Sequence, residues 1–276
     1  MKQQKMTFIG AGNMATSLIS GLIKEGIDPQ NITASDISEQ QCQALQTNLG
    51  IQATTNNQEA IKSADLVILA VKPQILRTVA EQLKASLAIK KPLVISIAAG
   101  ICSSDIQRWL GEDIPLVRTM PNTPAMIQAG ATALFATSMV TEQQKNKAEA
   151  LMRTTGLTIW LEKESEMDIV TALSGSGPAY YFLFMECFQK AAEDCGLAAD
   201  KARLLTLQTA LGAAKMAIEC ADDPAVLRRK VTSPKGTTES AIQSLLDNNI
   251  ETILSDAIKS AQQRSIELSK ELGADK

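Results

Sequence analysis

The stretch Gly10–Ala15, GAGNMA, carries two glycines and a small residue at the spacing that brings a backbone against a pyrophosphate. It follows the apolar run Lys5–Gly10, KMTFIG, and opens a segment with Met14, Leu18, Ile19, Leu22 and Ile23 at helical spacing. In a strand–turn–helix setting the first glycine permits a tight turn and the second a close approach to phosphate. The third position, Ala15, lets the helix pack on the strand. The start of such a helix presents free N–H groups and the positive end of its dipole to an anion. An incidental glycine turn is the competing reading, and the flanking strand and helix favour dinucleotide binding.

A second stretch, Val231–Ser240 or VTSPKGTTES, interrupts a region otherwise rich in Leu, Ala and Glu. A helix beginning near Gly236–Thr238 would present free amides at its start, beside two threonine hydroxyls. As a bare string it is equally a turn followed by an N-cap. The chain has no histidine, so its chemistry excludes imidazole as acid, base, nucleophile activator and metal ligand. No metal site is expected.

The choice between NAD and NADP stays open. An acid at the end of the second strand selects NAD by bonding the ribose hydroxyl, whereas an adjacent Arg accepts a 2′-phosphate. Here Asp36 points toward NAD, while Ser35 and Ser38 could bond a phosphate if Asp36 turns away, and no arginine is adjacent.

These residues need elements to place them. Apolar, β-rich runs recur at Asn31–Asp36, Leu66–Val71, Leu93–Ala99, Pro115–Met120, Ala131–Thr137 and Leu157–Leu161, with a helix over Glu39–Leu49 and helical or turn segments between the others. Continuous apolar runs alternating with helices predict a parallel sheet covered on both faces. After the acidic stretch Glu162–Asp168 no strand signal survives. Pro178 stands at a helix-opening position, and long helical patterns follow. The expected architecture is an α/β Rossmann-like dinucleotide-binding domain over residues 1–162 and an all-α domain over 163–276.

Composition narrows the function classes. A net charge of −3 and few aromatic residues argue against a nucleic-acid partner, and no apolar run is long enough for a membrane span. Five scattered cysteines without a CxxC pair read as free thiols in a reducing compartment, which places the protein in the cytoplasm.

Together with GAGNM, the ordered stretches AVKP (Ala70–Pro73), SIAAG (Ser96–Gly100), RTMPNTP (Arg118–Pro124), LSGSGPAYYF (Leu173–Phe182) and SPKGTT (Ser233–Thr238) resemble the pyrroline-5-carboxylate reductase family over essentially the whole chain. The resemblance implies hydride transfer from NAD(P)H to the C=N carbon of 1-pyrroline-5-carboxylate, the last step of proline biosynthesis. It places the cofactor on Gly10, Ala11, Gly12, Asn13 and Met14, with Ser35 near the adenine ribose and Asn57 on the adenine side. Ala70, Val71, Lys72 and Pro73, with Ile97, Ala98 and Ala99, would line the nicotinamide end. The substrate would lie on Gly236, Thr237 and Thr238 with Glu164 nearby, Thr238 holding the ring nitrogen as the catalytic hydroxyl. NADPH is the form the resemblance favours, with NADH open because of Asp36. A homodimer or larger homo-oligomer, a decamer by resemblance, is implied as well.

Lys235 departs from the family's usual SPGGTT. If that position needs φ > 0, a lysine costs about 1–2 kcal/mol; otherwise it is a harmless surface change. Two rival functions share the Gly loop: a β-hydroxyacid dehydrogenase, which uses a helical-half lysine, and a non-catalytic dinucleotide sensor. Lys190, Lys201 and Lys215 stand in no motif tied to the first role, and the intact SPKGTT and SGSGP stretches argue against the second.

Overall fold

The computed structural model describes residues 3–274. Eight strands form one sheet: β1 (Met6–Ile9), β2 (Ile32–Ser35), β3 (Gln52–Thr54), β4 (Leu66–Leu69), β5 (Leu93–Ser96), β6 (Leu116–Met120), β7 (Gly130–Ala136) and β8 (Gly156–Trp160). Their spatial order is β3-β2-β1-β4-β5-β6-β7-β8. The chain thus winds outward from β1 in one direction, returns, and continues from β4 in the other. That reversal between β1 and β4 is where sheets of this kind leave a crevice at their carboxyl ends.

Helices α1 (Asn13–Lys24), α2 (Glu39–Leu49), α3 (Asn57–Ile61), α4 (Pro73–Lys90), α5 (Ser103–Leu110) and α6 (Glu142–Arg153) connect the strands. They cover both faces, because strand residues alternate in direction. Phe8, Ile68, Ile95 and Val117 pack with Leu18, Leu22 and Leu151 of α1 and α6 on one side. Ile9, Val67, Leu69 and Val94 pack with Leu76, Leu83 and Trp109 of α4 and α5 on the other. With both faces buried, β1, β4 and β5 read as the unbroken apolar runs that marked them.

One expectation needs correction, and one strand has no counterpart in the sequence reading. The sheet is not wholly parallel: β7 runs antiparallel to β6, and β8 is parallel to β7. The connection across residues 121–129 is shorter than the dozen or more residues a parallel crossover needs, so the chain turns back instead. A 3₁₀ turn, Thr123–Ile127, makes that reversal. Strand β3 also lacks an apolar run, since it is a three-residue edge strand with partly exposed side chains.

Beyond the sheet come α7 (Glu166–Val170), a π-helical turn (Thr171–Gly175), α8 (Gly177–Asp194), α9 (Ala199–Glu219), α10 (Pro224–Lys230), α11 (Thr237–Asp247) and α12 (Ile250–Gly273). Two compact units result. The first takes in the chain up to Ser176 together with Ala261 onward, and the second is Gly177–Ser260. The second unit is all helical, and α8 opens with Pro178 as its second residue, where a missing N–H breaks no helical bond. Among the described residues no helix is long and apolar enough to cross a membrane.

Asp65 anchors the amino ends of the two strands that flank the reversal. Its carboxylate accepts the Lys5 N–H at 3.0 Å before β1 and pairs with Lys90 Nζ at 2.7 Å. Burial raises its pKa, but Lys90 and the Lys5 amide outweigh that and hold it below the ordinary 3.8. A depressed carboxylate pKa stabilises the fold above its unfolded value, and that contribution fades as pH falls through the folded one. Asp65→Asn should therefore lower the unfolding temperature at neutral pH, and the gap from wild type should narrow progressively as pH falls below the ordinary 3.8. A gap that persists unchanged at pH 3 would contradict this anchor.

Candidate functional site

Gly10 leaves β1 with φ of +98°, and its N–H donates to Ser35 O at 2.7 Å. Across the strand reversal, Ala70 N–H donates to Ile9 O at 2.7 Å at the end of β4. A Cβ on Gly10 would lie 2.6 Å from Ala70 O and 2.9 Å from Val71 N. Residue 10 is therefore glycine for two separate reasons, its left-handed backbone and the backbone beside it. Gly12 differs: no atom lies within 4 Å of the position its Cβ would take, so one side of the loop is open. Gly12 is also the N-cap of α1 and no side chain caps that helix, so the first amides of Asn13 and Met14 are available to an anion.

Side chains from the segment after β2 hold this loop. Asp36 Oδ2 accepts the Ala11 N–H at 2.9 Å, and its Oδ1 accepts the Ser38 N–H at 3.0 Å. Gln41 Nε2 donates to Ala11 O at 2.8 Å. Ser35 is fully buried, and its hydroxyl bonds Asn57 Oδ1 at 2.6 Å. Ser38 Oγ caps α2 by accepting the Gln41 N–H at 3.3 Å. Of the residues read from the sequence, Ser35 and Asn57 are thus joined directly, and Asp36 faces the Gly loop.

The strand ends bearing AVKP and SIAAG are neighbours, with Ile97 N–H donating to Leu69 O at 3.1 Å. Ala98 is buried, Ala70, Val71, Pro73, Ile97 and Ala99 are partly exposed, and Lys72 is exposed at the N-cap of α4. Pro73 is the first residue of α4.

Glu164 is fully engaged by its surroundings. Oε1 accepts the Ser103 N–H at 2.6 Å and Arg118 Nη1 at 2.8 Å, and Oε2 accepts the Ser103 hydroxyl at 2.5 Å. Arg118 is 4% exposed, so this carboxylate is the partner that lets a guanidinium be buried inside β6. It also satisfies an amide at the start of α5, whose own N-cap, Cys102, makes no side-chain cap bond. Burial pushes the Cys102 thiol up, Glu164 adds to that and Arg118 opposes it, so the thiol stays protonated and unreactive at neutral pH.

Asn122 lies in the RTMPNTP stretch, just after β6. Its Oδ1 accepts the Ala131 N–H at 2.9 Å and its Nδ2 donates to Ser174 O at 3.1 Å. It ties the start of β7 to the π-helical turn. The sequence gives no signal for Gln41 or Ser103, because a polar residue on an amphipathic helix looks the same whether it faces water or a loop.

In the second unit, SPKGTT forms a tight turn before α11. Lys235 has φ of 59°, and Gly236 N–H donates to Ser233 O at 3.0 Å. Gly236 is the N-cap of α11, with no side-chain cap bond, and Thr237 and Thr238 are the first two residues of the helix. Both threonines are exposed. The alternative in which a threonine serves as the cap is therefore not what the fold uses. Lys235 N–H donates to Glu239 Oε2 at 2.6 Å, which steadies the turn.

Two family models match the chain: "NADP oxidoreductase coenzyme F420-dependent" over residues 5–100 and "Pyrroline-5-carboxylate reductase dimerisation" over residues 164–268. Pyrroline-5-carboxylate reductase of Pseudomonas aeruginosa is 45% identical over 273 residues, covering 99% of this chain and all of that one. The solved structure of the Coxiella burnetii pyrroline-5-carboxylate reductase superposes with a TM-score of 0.93 at 46% identity, covering 97% of this chain and 99% of that one. The Plasmodium falciparum pyrroline carboxylate reductase, solved with NADP bound, superposes with a TM-score of 0.87 at 28% identity over 98% of this chain and 99% of that one.

The left-handed backbone at Lys235 selects the first of the two readings of that residue. Lys235→Gly should relieve about 1 kcal/mol of strain, because the amide bond to Glu239 needs no side chain at 235. Thermal unfolding at fixed protein concentration checks this, and a variant no more stable than wild type would contradict the strain.

Proposed function

The chain belongs to the pyrroline-5-carboxylate reductase family, and from that premise we propose how its residues share the reaction. It is an oxidoreductase of proline biosynthesis that reduces 1-pyrroline-5-carboxylate to proline with NAD(P)H. The observation that carries the reading is a relationship of 45–46% identity spanning nearly the whole length of both chains.

The residues present fit a dinucleotide. A first glycine that admits no side chain, a second with open space beside it, and an uncapped helix start form a cradle for a pyrophosphate. We assign Gly10, Ala11, Gly12, Asn13 and Met14 to that group. Asn57 serves the adenine side, and buried Ser35 acts through it by fixing its amide, which leaves the NH₂ to donate outward. Ala70, Val71, Lys72 and Pro73 with Ile97, Ala98 and Ala99 take the nicotinamide end. Bound there, the reduced nicotinamide supplies the hydride. NADPH is the proposed form, supported by the NADP in the Plasmodium falciparum relative and by an Asp36 carboxylate turned toward loop amides; NADH is the competitor.

For the substrate we assign Gly236, Thr237 and Thr238. The first amides of α11 hold the carboxylate, helped by the dipole of that helix. Thr238 Oγ bonds the ring nitrogen. Once that nitrogen is protonated the C=N carbon is electrophilic. As the new C–H bond forms, the C=N π pair passes to nitrogen, and the ring becomes a secondary amine. Positioning is then the main task of the side chains, and no imidazole is required. Glu164 belongs to the substrate side in this reading while it stays bonded to Ser103 and Arg118.

We further propose that residues 1–162 act as the cofactor domain and 163–276 as the substrate and dimerisation domain, supported by the dimerisation model over 164–268; this division by role differs from the compact units, of which the first also takes in 163–176 and Ala261 onward. Large apolar side chains stand exposed on α8 and α9, among them Tyr181, Phe182, Phe188, Leu205 and Leu211, which suits a homodimer or a larger assembly such as a decamer. Free cysteines agree with a cytoplasmic setting.

NADPH and NADH oxidation with 1-pyrroline-5-carboxylate tests the assignment. Thr238→Ala should cut kcat by about tenfold or more and leave the affinity for NADPH unchanged, since the lost bond serves the reacting ring and not the cofactor. Near-wild-type turnover at saturating substrate would remove Thr238 from the role.

A further inference from the structure

An acid placed just after the second strand of such a sheet is expected to read the adenine ribose. Asp36 occupies that place, and both of its carboxylate oxygens accept backbone N–H groups, Oδ2 from Ala11 at 2.9 Å and Oδ1 from Ser38 at 3.0 Å. The other side of the same loop residue is held too, because Ala11 O accepts Gln41 Nε2 at 2.8 Å. Ala11 is 1% exposed, so neither of its polar groups has water as an alternative partner. Ser38 closes the circuit: its N–H bonds Asp36, and its Oγ bonds the Gln41 N–H at 3.3 Å.

We propose that Asp36 and Gln41 form a two-sided clamp on Ala11 that fixes the Gly loop in its binding shape, making both positioning residues rather than selectors of NADH. The inference rests on the assignment of Gly10–Met14 to the pyrophosphate. A Gly-Ala-Gly turn has unusual backbone freedom, and freezing it on binding costs entropy. A loop already frozen by a charge-assisted bond on one side and an amide bond on the other avoids most of that cost. The clamp acts where the two nicotinamide cofactors are chemically identical. An acid at this position is then compatible with NADPH, because its charge is directed into the loop amides.

The test measures direct binding of NADPH and NADH to the full chain by titration, for wild type, Asp36→Ala, Gln41→Ala and the double variant, with ligand-free unfolding temperature followed in parallel. Each single variant should weaken both cofactors by a similar factor of about tenfold, the scale of one lost hydrogen bond to a charged or buried partner. The NADPH-to-NADH affinity ratio should stay near its wild-type value, and kcat at saturating cofactor should be kept. The double variant should lose less than the product of the two single losses, as coupled groups do. Selective loss of NADH with NADPH kept or strengthened in Asp36→Ala would overturn the clamp in favour of ribose reading. Unchanged binding in Gln41→Ala, which leaves the carboxylate in place and guards against a misfolded Asp36 variant, would overturn it as well. A wild-type chain that binds neither nucleotide would instead overturn the pyrophosphate assignment beneath it.

Discussion

The approach of Gly10 to the carboxyl end of β4 is the constraint on which the cofactor side depends. Strands β1 and β4 are neighbours in the sheet but far apart in sequence, and the backbone turning out of one runs against Ala70 of the other. Any side chain at residue 10 would push these strand ends apart. Because they stay together, the turn is short, and α1 starts three residues after Gly10. The open side of Gly12 and the small residues at 70, 98 and 99 follow the same logic, since backbone itself forms the surface.

Polar side chains do the remaining placement, each joining segments distant in sequence. Glu164 links the chain after β8 to a buried arginine in β6 and to the start of α5. Asn122 links the reversal after β6 to the π-helical turn. Buried polar groups of this kind cost several kcal/mol when left unpaired, so they specify one arrangement strongly even where their net contribution to stability is small. Asp36 and Gln41 apply the same device to the loop on which the cofactor site is built.

Much of this was legible in the sequence. Seven of the strands announce themselves as apolar runs, those in the middle of the sheet because both faces are buried, although the edge strand β8 keeps Leu157 and Ile159 exposed, and the Gly loop is recognisable from the strand before it and the helix after it. The helical second unit follows from Pro178 and the long periodic segments after it. The rest was hidden for identifiable reasons. The edge strand β3 buries too little to show a pattern, and the reversal at β7 depends on the length of a connection, not on strand composition. Asp36 and Glu164 carry the same side chain whether they meet a ligand or a backbone amide.

Local composition by itself determined the alternation of strands and helices, the glycine turn, the absence of imidazole and the order of motifs through the chain. These depend on propensities and apolar periodicity, which act over a few residues and are written in neighbouring letters. Tertiary structure alone decided which amides the Asp36 and Glu164 carboxylates meet and which segments Asn122 joins. Those outcomes depend on which distant groups come within hydrogen-bonding distance. A side chain bonds whatever partner the closed fold brings to it, and no local pattern records that partner.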